Sequence, residues 1–323
     1  MDDWKTFVGK KENRFELLQG EKRQEFCSDD LSQIIIVAAS SISIGAIRLA
    51  LEKGIDIVFI SRFGYPVGRI YPCKLGGTTL TRKKQLEAYF SWKGLELAKK
   101  FVYGKIKNQV AVLKNLQKTR SNVDFTKYIE KMEERELQID MIDGSLDEVR
   151  EKLLGVEGNA ASEYFQALAE ILPFEKRDRT SADPFNIMLN YAYGIIYSEV
   201  ERACVLAGLD PYFGYLHTDR YGKPSMVLDL IEEFRAPLSD KPVITLFARK
   251  QVRDKDFDKS GESVLLSETG RRKVIEAVIE KLHDTAKNRG TEKRICNIIV
   301  EQARAIARFI LSESEKYEPW SYV

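Results

Sequence analysis

The chain has 323 residues, 44% hydrophobic and 31% charged, with 51 Lys and Arg against 49 Asp and Glu. That length suits about two domains, and the charge load suits long helices with solvated faces more than a compact all-β protein. A net charge of +2 does not mark a nucleic-acid binder, so any basic surface has to come from local clusters.

No apolar run reaches the ~18 residues of a membrane helix, and no N-terminal targeting pattern is present, so the expectation is a cytoplasmic protein with no membrane partner. Cys27, Cys73, Cys204 and Cys296 are scattered and form no CxxC pair. They are expected as reduced thiols packed like small hydrophobes, not as a zinc site.

Short extended runs dominate the first 80 residues. "WKTFVGK" and "RFELLQ" flank a polar turn, and "RQEFC" and "QIIIVAA" flank another. Turn-forming and β-branched residues alternate there as strands require. "SSISIGAIRLALEKG" predicts a short helix, capped by Ser41 or Ser43 and closed by Gly54 in the left-handed C-terminal position. "IDIVFIS" and "PVGRIYP" predict further strands. Residues 1–80 therefore read as a small β-rich N-terminal domain.

After "KLGGTTLTRKK" the pattern turns helical, and residues 81–323 read as a larger all-helical domain. "QLEAYFSWKGLELAKKFVYGKIKNQVAVLKNL" keeps apolar residues at three- and four-residue spacing throughout. Further helices are predicted over 123–139, 144–155, 157–172, 184–207, 225–235, 264–287 and 292–315, with boundaries at Pro173, Pro184, Pro211 and Pro237. "FARKQVRDKDFDKSGESV" reads as a charged loop. The fold class is α+β.

Three groups can carry chemistry. Glu157 in "GVEGNAASEYFQAL" falls at an expected helix start, beside Gly155 and Gly158, which allow close backbone approach. An isolated glutamate there equally complements the helix dipole. His217 in "FGYLHTDRYG" is one of two histidines, and a lone histidine is commonly structural. Asp229 and Glu232 in "LDLIEEF" share one helix face among apolar residues. Such acids are costly unless a lysine, an arginine or a divalent cation neutralises them. Together, Glu157, His217 and Glu232 fit Mg²⁺ or Mn²⁺ with open positions, a site suited to phosphodiester chemistry.

Basic residues form candidate phosphate contacts: Lys176, Arg177 and Arg179 in "EKRDRT", Arg249, Lys250 and Arg253 in "FARKQVRDK", and Lys105, with Lys107, in "GKIKNQ". Each run also reads as a solvated face. Asn186, Asn190, Tyr191 and Tyr193 sit at one-turn spacings in a helix expected to be buried. Buried amides and phenols need partners, so they are expected to brace the site.

"GVEGNAASEYF", "DPFNIMLNYAYGIIYSEVERACVLAGLDPYFGYLH" and "PSMVLDLIEEFRAPL" resemble, in order and spacing, the CRISPR-associated integrase that captures new spacers. "SISIGAIRLALEKGIDIVFISRFGYPVGRI", "GKIKNQ", "SGESVLLSETGRRKVIEAVIEKL" and "EQARAIARFI" extend the likeness over nearly the whole chain. The resemblance implies a β-rich dimerisation domain and an all-α catalytic domain acting as a DNA endonuclease and integrase. It places the family's metal ligands on Glu157, His217 and Glu232. Asp229 matches a further acidic position, as ligand or as brace. The last ligand is aspartate in some relatives, and Ala236 stands where a proline often follows the arginine.

The implied partners are double-stranded DNA fragments, the CRISPR repeat, a second copy of the chain, and the small ferredoxin-like second CRISPR-associated protein. The implied reaction is attack of a fragment's 3′-hydroxyl on a phosphodiester of the repeat. The alternatives are a branched-DNA or RNA nuclease of repair, using the same metal with water, and a non-catalytic DNA-binding scaffold whose acids pair with basic side chains.

Overall fold

The computed structural model describes residues 6–31, 33–37, 40–61, 64, 66–72, 78–120, 123–217, 222–260 and 263–322. The chain divides into two compact units, Met1–Leu75 and Gly76–Val323.

In the first unit, β1 (Thr6–Lys11), β2 (Arg14–Gln19) and β3 (Lys22–Cys27) form an antiparallel meander. β5 (Ser40–Ile42) pairs parallel to β1. A second sheet takes β4 (Gln33–Ile36), β6 (Asp56–Ile60) and β7 (Pro66–Ile70), with β6 at its centre. Helix α1 (Ile44–Lys53) packs its apolar stripe, Ala46, Leu49 and Ala50, with Val8, Phe15, Ile55 and Ile57 into one core. Of the two cap candidates, Ser43 does the work: its side chain accepts from Ala46 N, while Gly54 ends the helix at φ 69°.

The second unit is mainly helical: α2 (Thr78–Tyr89), α3 (Trp92–Thr119), α4 (Thr126–Asp140), α5 (Leu146–Ala169), α6 (Pro184–Leu206), α7 (Ser225–Arg235), α8 (Lys241–Ala248), α9 (Glu268–His283) and α10 (Ile295–Ile310). It also carries two short hairpins, β8 (Phe257–Ser260) with β9 (Ser263–Leu266), and β10 (Thr285–Asn288) with β11 (Thr291–Arg294).

Several predicted boundaries are corrected. The run from residue 85 is broken at Ser91, whose extended backbone and side chain cap α3 through Lys93 N. The helices predicted over 144–155 and 157–172 are one helix, α5, started by a Ser145–Glu148 capping box. Glu157 therefore lies in mid-helix and cannot be complementing a helix N-terminus. A Cβ on Gly155 or Gly158 would meet nothing within 4 Å, so no close backbone approach demands glycine there.

The helices predicted over 264–287 and 292–315 lose their facing ends to the β10–β11 hairpin. Its turn residues Arg289 (φ 50°) and Gly290 (φ 82°) have the paired left-handed backbone of a tight hairpin turn. Part of the predicted charged loop is the β8–β9 hairpin. Pro237 ends nothing: the chain passes from α7 through a π-helical turn, Ala236–Asp240, directly into α8. Proline lacks the N–H that a regular ladder needs, and a widened turn absorbs that gap.

Cys27, Cys204 and Cys296 form no disulfide among the described residues; Cys73 lies outside them. No helix among them is long and apolar enough to cross a membrane.

Candidate metal centre

Helix α7 carries three acids that face different surroundings. Asp229 is completely buried. Its Oδ2 accepts the backbone N–H groups of Tyr215 (2.6 Å) and Leu216 (3.1 Å). Its Oδ1 accepts that of His217 (2.8 Å) and lies 2.9 Å from His217 Nδ1. The segment before His217 has no regular structure, so its N–H groups need such an acceptor. A carboxylate committed to four donors is a brace. With Nδ1 held as the donor, Nε2 is the nitrogen of His217 left to bind. Burial opposes charge on His217, but the Asp229 bond and the negative charges of Asp229, Glu232 and Glu157 outweigh it and raise its pKa.

Glu232, one helical turn on, is 3% exposed. Its Oε2 lies 2.7 Å from Lys105 Nζ, and its Oε1 lies 3.0 Å from Arg235 Nε. Burial works against its ionisation, yet Arg235, Lys105 and His217 hold its carboxyl well below the usual range. Lys105, from α3, also binds Glu157 Oε1, from α5. Glu157 and Glu232 thus bracket a single position, filled by an ammonium.

Glu233 turns the other way. Its carboxylate accepts the Tyr317 hydroxyl, Gln302 Nε2 and Trp320 N, tying the C-terminal segment to α7. Burial pushes its carboxyl up to about 7.

Glu157, His217, Glu232 and Lys105 line one cavity of about 530 Å³, together with Lys176, Arg177, Arg179, Tyr193, Arg235 and Asp240. Arg177 forks onto Asn186 Oδ1 (2.7 Å) and Asn190 Oδ1 (2.6 Å). Its guanidinium lies 5.3 Å from the centre of the Tyr193 ring, and that of Arg235 lies 4.7 Å from it. The Tyr193 hydroxyl donates to Asp240 Oδ1 (2.8 Å). The result is an acidic floor with a basic wall.

Lys105, expected on the DNA-contacting surface, is instead mostly buried between two carboxylates, where its charge is already used. Asn186 and Asn190, expected to brace the site, hold Arg177 and the 176–179 loop, not the acids. Tyr191 does not join them: its buried hydroxyl meets no hydrogen-bond partner among the described residues, and burial pushes it up to about 12. Lys176 and Arg179 are exposed, as a phosphate contact requires. Arg249 and Arg253 line a separate cavity of about 700 Å³, with Lys241, Lys255, Lys273 and Lys281 on its walls. Lys250 is exposed outside both cavities, at φ 53°.

Two residues of the site went unread in the sequence. Arg235 was legible, because it follows Glu232 at helical i,i+3 spacing. Asp240 was not, because only the π-helical turn swings it into the cavity.

Among the described residues no three metal-liganding side chains converge closely enough to form a cluster. The donor set nonetheless fits a hard divalent cation. Two carboxylates already bracket one cation position, and an imidazole with a fixed tautomer faces the same cavity.

Comparison with known proteins identifies the fold and the family. The model of the family described as CRISPR associated protein Cas1 matches residues 1–280. The CRISPR-associated endonuclease Cas1 1 of Archaeoglobus fulgidus is 35% identical over 319 residues, covering 93% of this chain and 92% of the relative. A casposase bound to integration product superposes with a TM-score of 0.85 at 24% identity, over 97% of this chain and 90% of that one. A chain of a Cas6-RT-Cas1–Cas2 complex superposes with a TM-score of 0.78 at 20% identity, over 98% of this chain and 35% of its own length. These two likenesses speak for the fold, and the family model and the Archaeoglobus relative speak for the family: the chain belongs to the CRISPR-associated protein Cas1 family.

Proposed function

We propose that this chain is a metal-dependent DNA endonuclease and integrase of CRISPR spacer acquisition. One observation carries the reading: Glu157 and Glu232, from different helices, bracket a single cation position in a cavity walled by Arg177, Arg179 and Arg235. In support, the Archaeoglobus relative is named an endonuclease and the casposase is bound to an integration product.

Glu157, Glu232 and His217 Nε2 hold the cation, Mg²⁺ or Mn²⁺. When bound, the ion polarises a phosphoryl oxygen and stabilises the charge of the leaving oxygen. Asp229 orients His217. Arg177 and Arg235, stacked on Tyr193, present fixed positive charge to the reacting phosphate. Lys176 and Arg179 hold the neighbouring backbone without reading sequence. The substrates are a double-stranded fragment with a free 3′-hydroxyl and the CRISPR repeat. The first unit serves as a dimerisation domain, and the assembly in the cytoplasm includes the small ferredoxin-like second CRISPR-associated protein; the Cas6-RT-Cas1–Cas2 complex supports that partner.

A second reading has its own observation. Glu232 is already neutralised by Lys105 and Arg235, as a non-catalytic DNA-binding scaffold would have it. Strand transfer of a duplex fragment into a repeat-bearing plasmid, with the second protein present, separates the readings. The expected outcome is joined product that needs Mg²⁺ or Mn²⁺, disappears with a chelator, and falls by at least about 100-fold in Glu157→Gln, His217→Ala and Glu232→Gln. Hydrolysis without joining would favour a repair nuclease. Activity indifferent to metal and to all three substitutions would sink the metal centre.

A further inference from the structure

Helix α3 fixes Lys105 at the floor of the cavity: its neighbours Gly104 and Ile106 are buried, so the backbone there cannot shift. The side chain reaches out as a flexible stem ending in a point charge. Its ammonium contacts Glu157 Oε1 and Glu232 Oε2, the two carboxylate oxygens that would face a metal. Arg235, the other cation on Glu232, is stacked over the Tyr193 ring and pinned there. Among the described residues Lys105 has no such stacking partner, so it can leave.

Without any cation between them, the buried Glu232 and the half-buried Glu157 carboxylates would repel each other and carry an uncompensated desolvation cost. With Lys105 and Arg235 present, the charges of Glu157 and Glu232 are matched. A divalent ion cannot share the position with an ammonium: both need the same oxygens, and like charges at contact repel.

We propose that Lys105 is a built-in counter-cation of the metal-free site, whose ammonium occupies the position between Glu157 and Glu232 that a divalent cation takes and swings into the cavity when metal loads. Lys105 is then a positioning residue. It keeps the acid pair assembled before metal arrives and competes with the metal for it. The inference rests on the metal-centre reading above.

The test is Mn²⁺ binding by calorimetry, on the full chain, in Lys105→Met, Glu157→Gln and the unsubstituted protein. Removing the competitor is expected to tighten Mn²⁺ binding by about tenfold or more, because the binding-competent state no longer has to expel an ammonium. In chelator, Lys105→Met should melt below the unsubstituted protein; saturated with Mn²⁺ it should reach or exceed it. Should the variant fold poorly, acylation of amines in the unsubstituted protein, read by mass spectrometry, replaces it. Lys105 should be protected in chelator and labelled in Mn²⁺.

Equal or weaker Mn²⁺ binding in Lys105→Met, or equal labelling in both conditions, overturns the inference. If Mn²⁺ binding is nevertheless present and is lost in Glu157→Gln, the metal-centre reading survives that failure. If the unsubstituted protein binds no Mn²⁺, both fall together.

Discussion

The Asp229 carboxylate lies 2.9 Å from His217 Nδ1 while accepting the backbone N–H groups of Tyr215, Leu216 and His217. One buried side chain thereby shapes the loop and sets the histidine tautomer. Asp229→Asn sets an N–H₂ group against backbone donors and removes the charge opposite the ring. Metal affinity is expected to fall by about 10–100-fold and stability by about 1–3 kcal/mol. Mn²⁺ titration and denaturant melts measure the two effects separately. Unchanged values in both would show that Asp229 braces nothing.

Gly214 makes that arrangement possible. A Cβ there would come 2.7 Å from Asp229 Oδ2 and 2.6 Å from the Ser225 carbonyl carbon. Neither atom can yield, because Asp229 is bonded on both oxygens and Ser225 opens α7. Gly214→Ala should cost about 1–3 kcal/mol by overpacking and should lower strand-transfer activity, since the displaced segment carries His217. Urea melts and the plasmid assay check the pair. Full activity at unchanged stability would contradict the crowding argument.

The three basic residues of the 176–179 loop should separate by experiment. Lys176 and Arg179 are exposed, so alanine at either should weaken DNA binding across sequences and reduce the salt slope by about 1. Arg177 is committed as a fork to Asn186 and Asn190. Arg177→Lys keeps the charge and loses the fork, so it should weaken DNA binding nearly as much as Arg177→Ala. Salt-dependent binding isotherms decide. Behaviour of Arg177→Lys close to the unsubstituted protein would mean that charge alone matters.

Burial pushes the Asp240 carboxyl from 3.8 up to about 6, against the hydrogen bond of Tyr193 and the charges of Arg177 and Arg235. The folded chain therefore holds this proton more tightly than the unfolded chain does. The resulting stability is fully present below the unfolded value and is lost as pH rises through about 6. A shift of that size corresponds to about 3 kcal/mol between the two limits. Asp240→Asn keeps an acceptor for Tyr193 without the titration. Relative to the unsubstituted protein, the variant should gain stability between about pH 4 and about pH 8. A difference in melting free energy that stays flat over this range would count against the assignment.

Much of this protein was legible locally. The strands of the first unit other than β5, whose residues read as part of the following helix, the closing Gly54, helix α7 and the shared face of Asp229 and Glu232 follow from periodicity and turn chemistry, which neighbouring residues decide among themselves. Local reading failed where a short-range signal was outweighed. Gly155 and Gly158 argued for a break that the packing of α5 overrode. Arg289 and Gly290 formed a hairpin inside a helical pattern, and Pro237 widened a turn instead of ending a helix.

The acids and the histidine were readable as residue types, and their grouping rested on the family resemblance, not on their spacing. Glu157, Lys105, Glu232 and His217 come from α5, α3, α7 and the segment before α7, and no spacing along the chain encodes their convergence. Lys105 is the clearest case. On the sequence it is one of several lysines on an amphipathic helix, open to solvent and to DNA. Only the packing of α3 against α5 and α7 buries it between two carboxylates, where the cost of leaving those charges unmatched makes an internal partner of it. The sequence by itself determined which chemistry this chain carries; the tertiary structure decided which charges face one another, because electrostatic pairing depends on distances that only the folded chain sets.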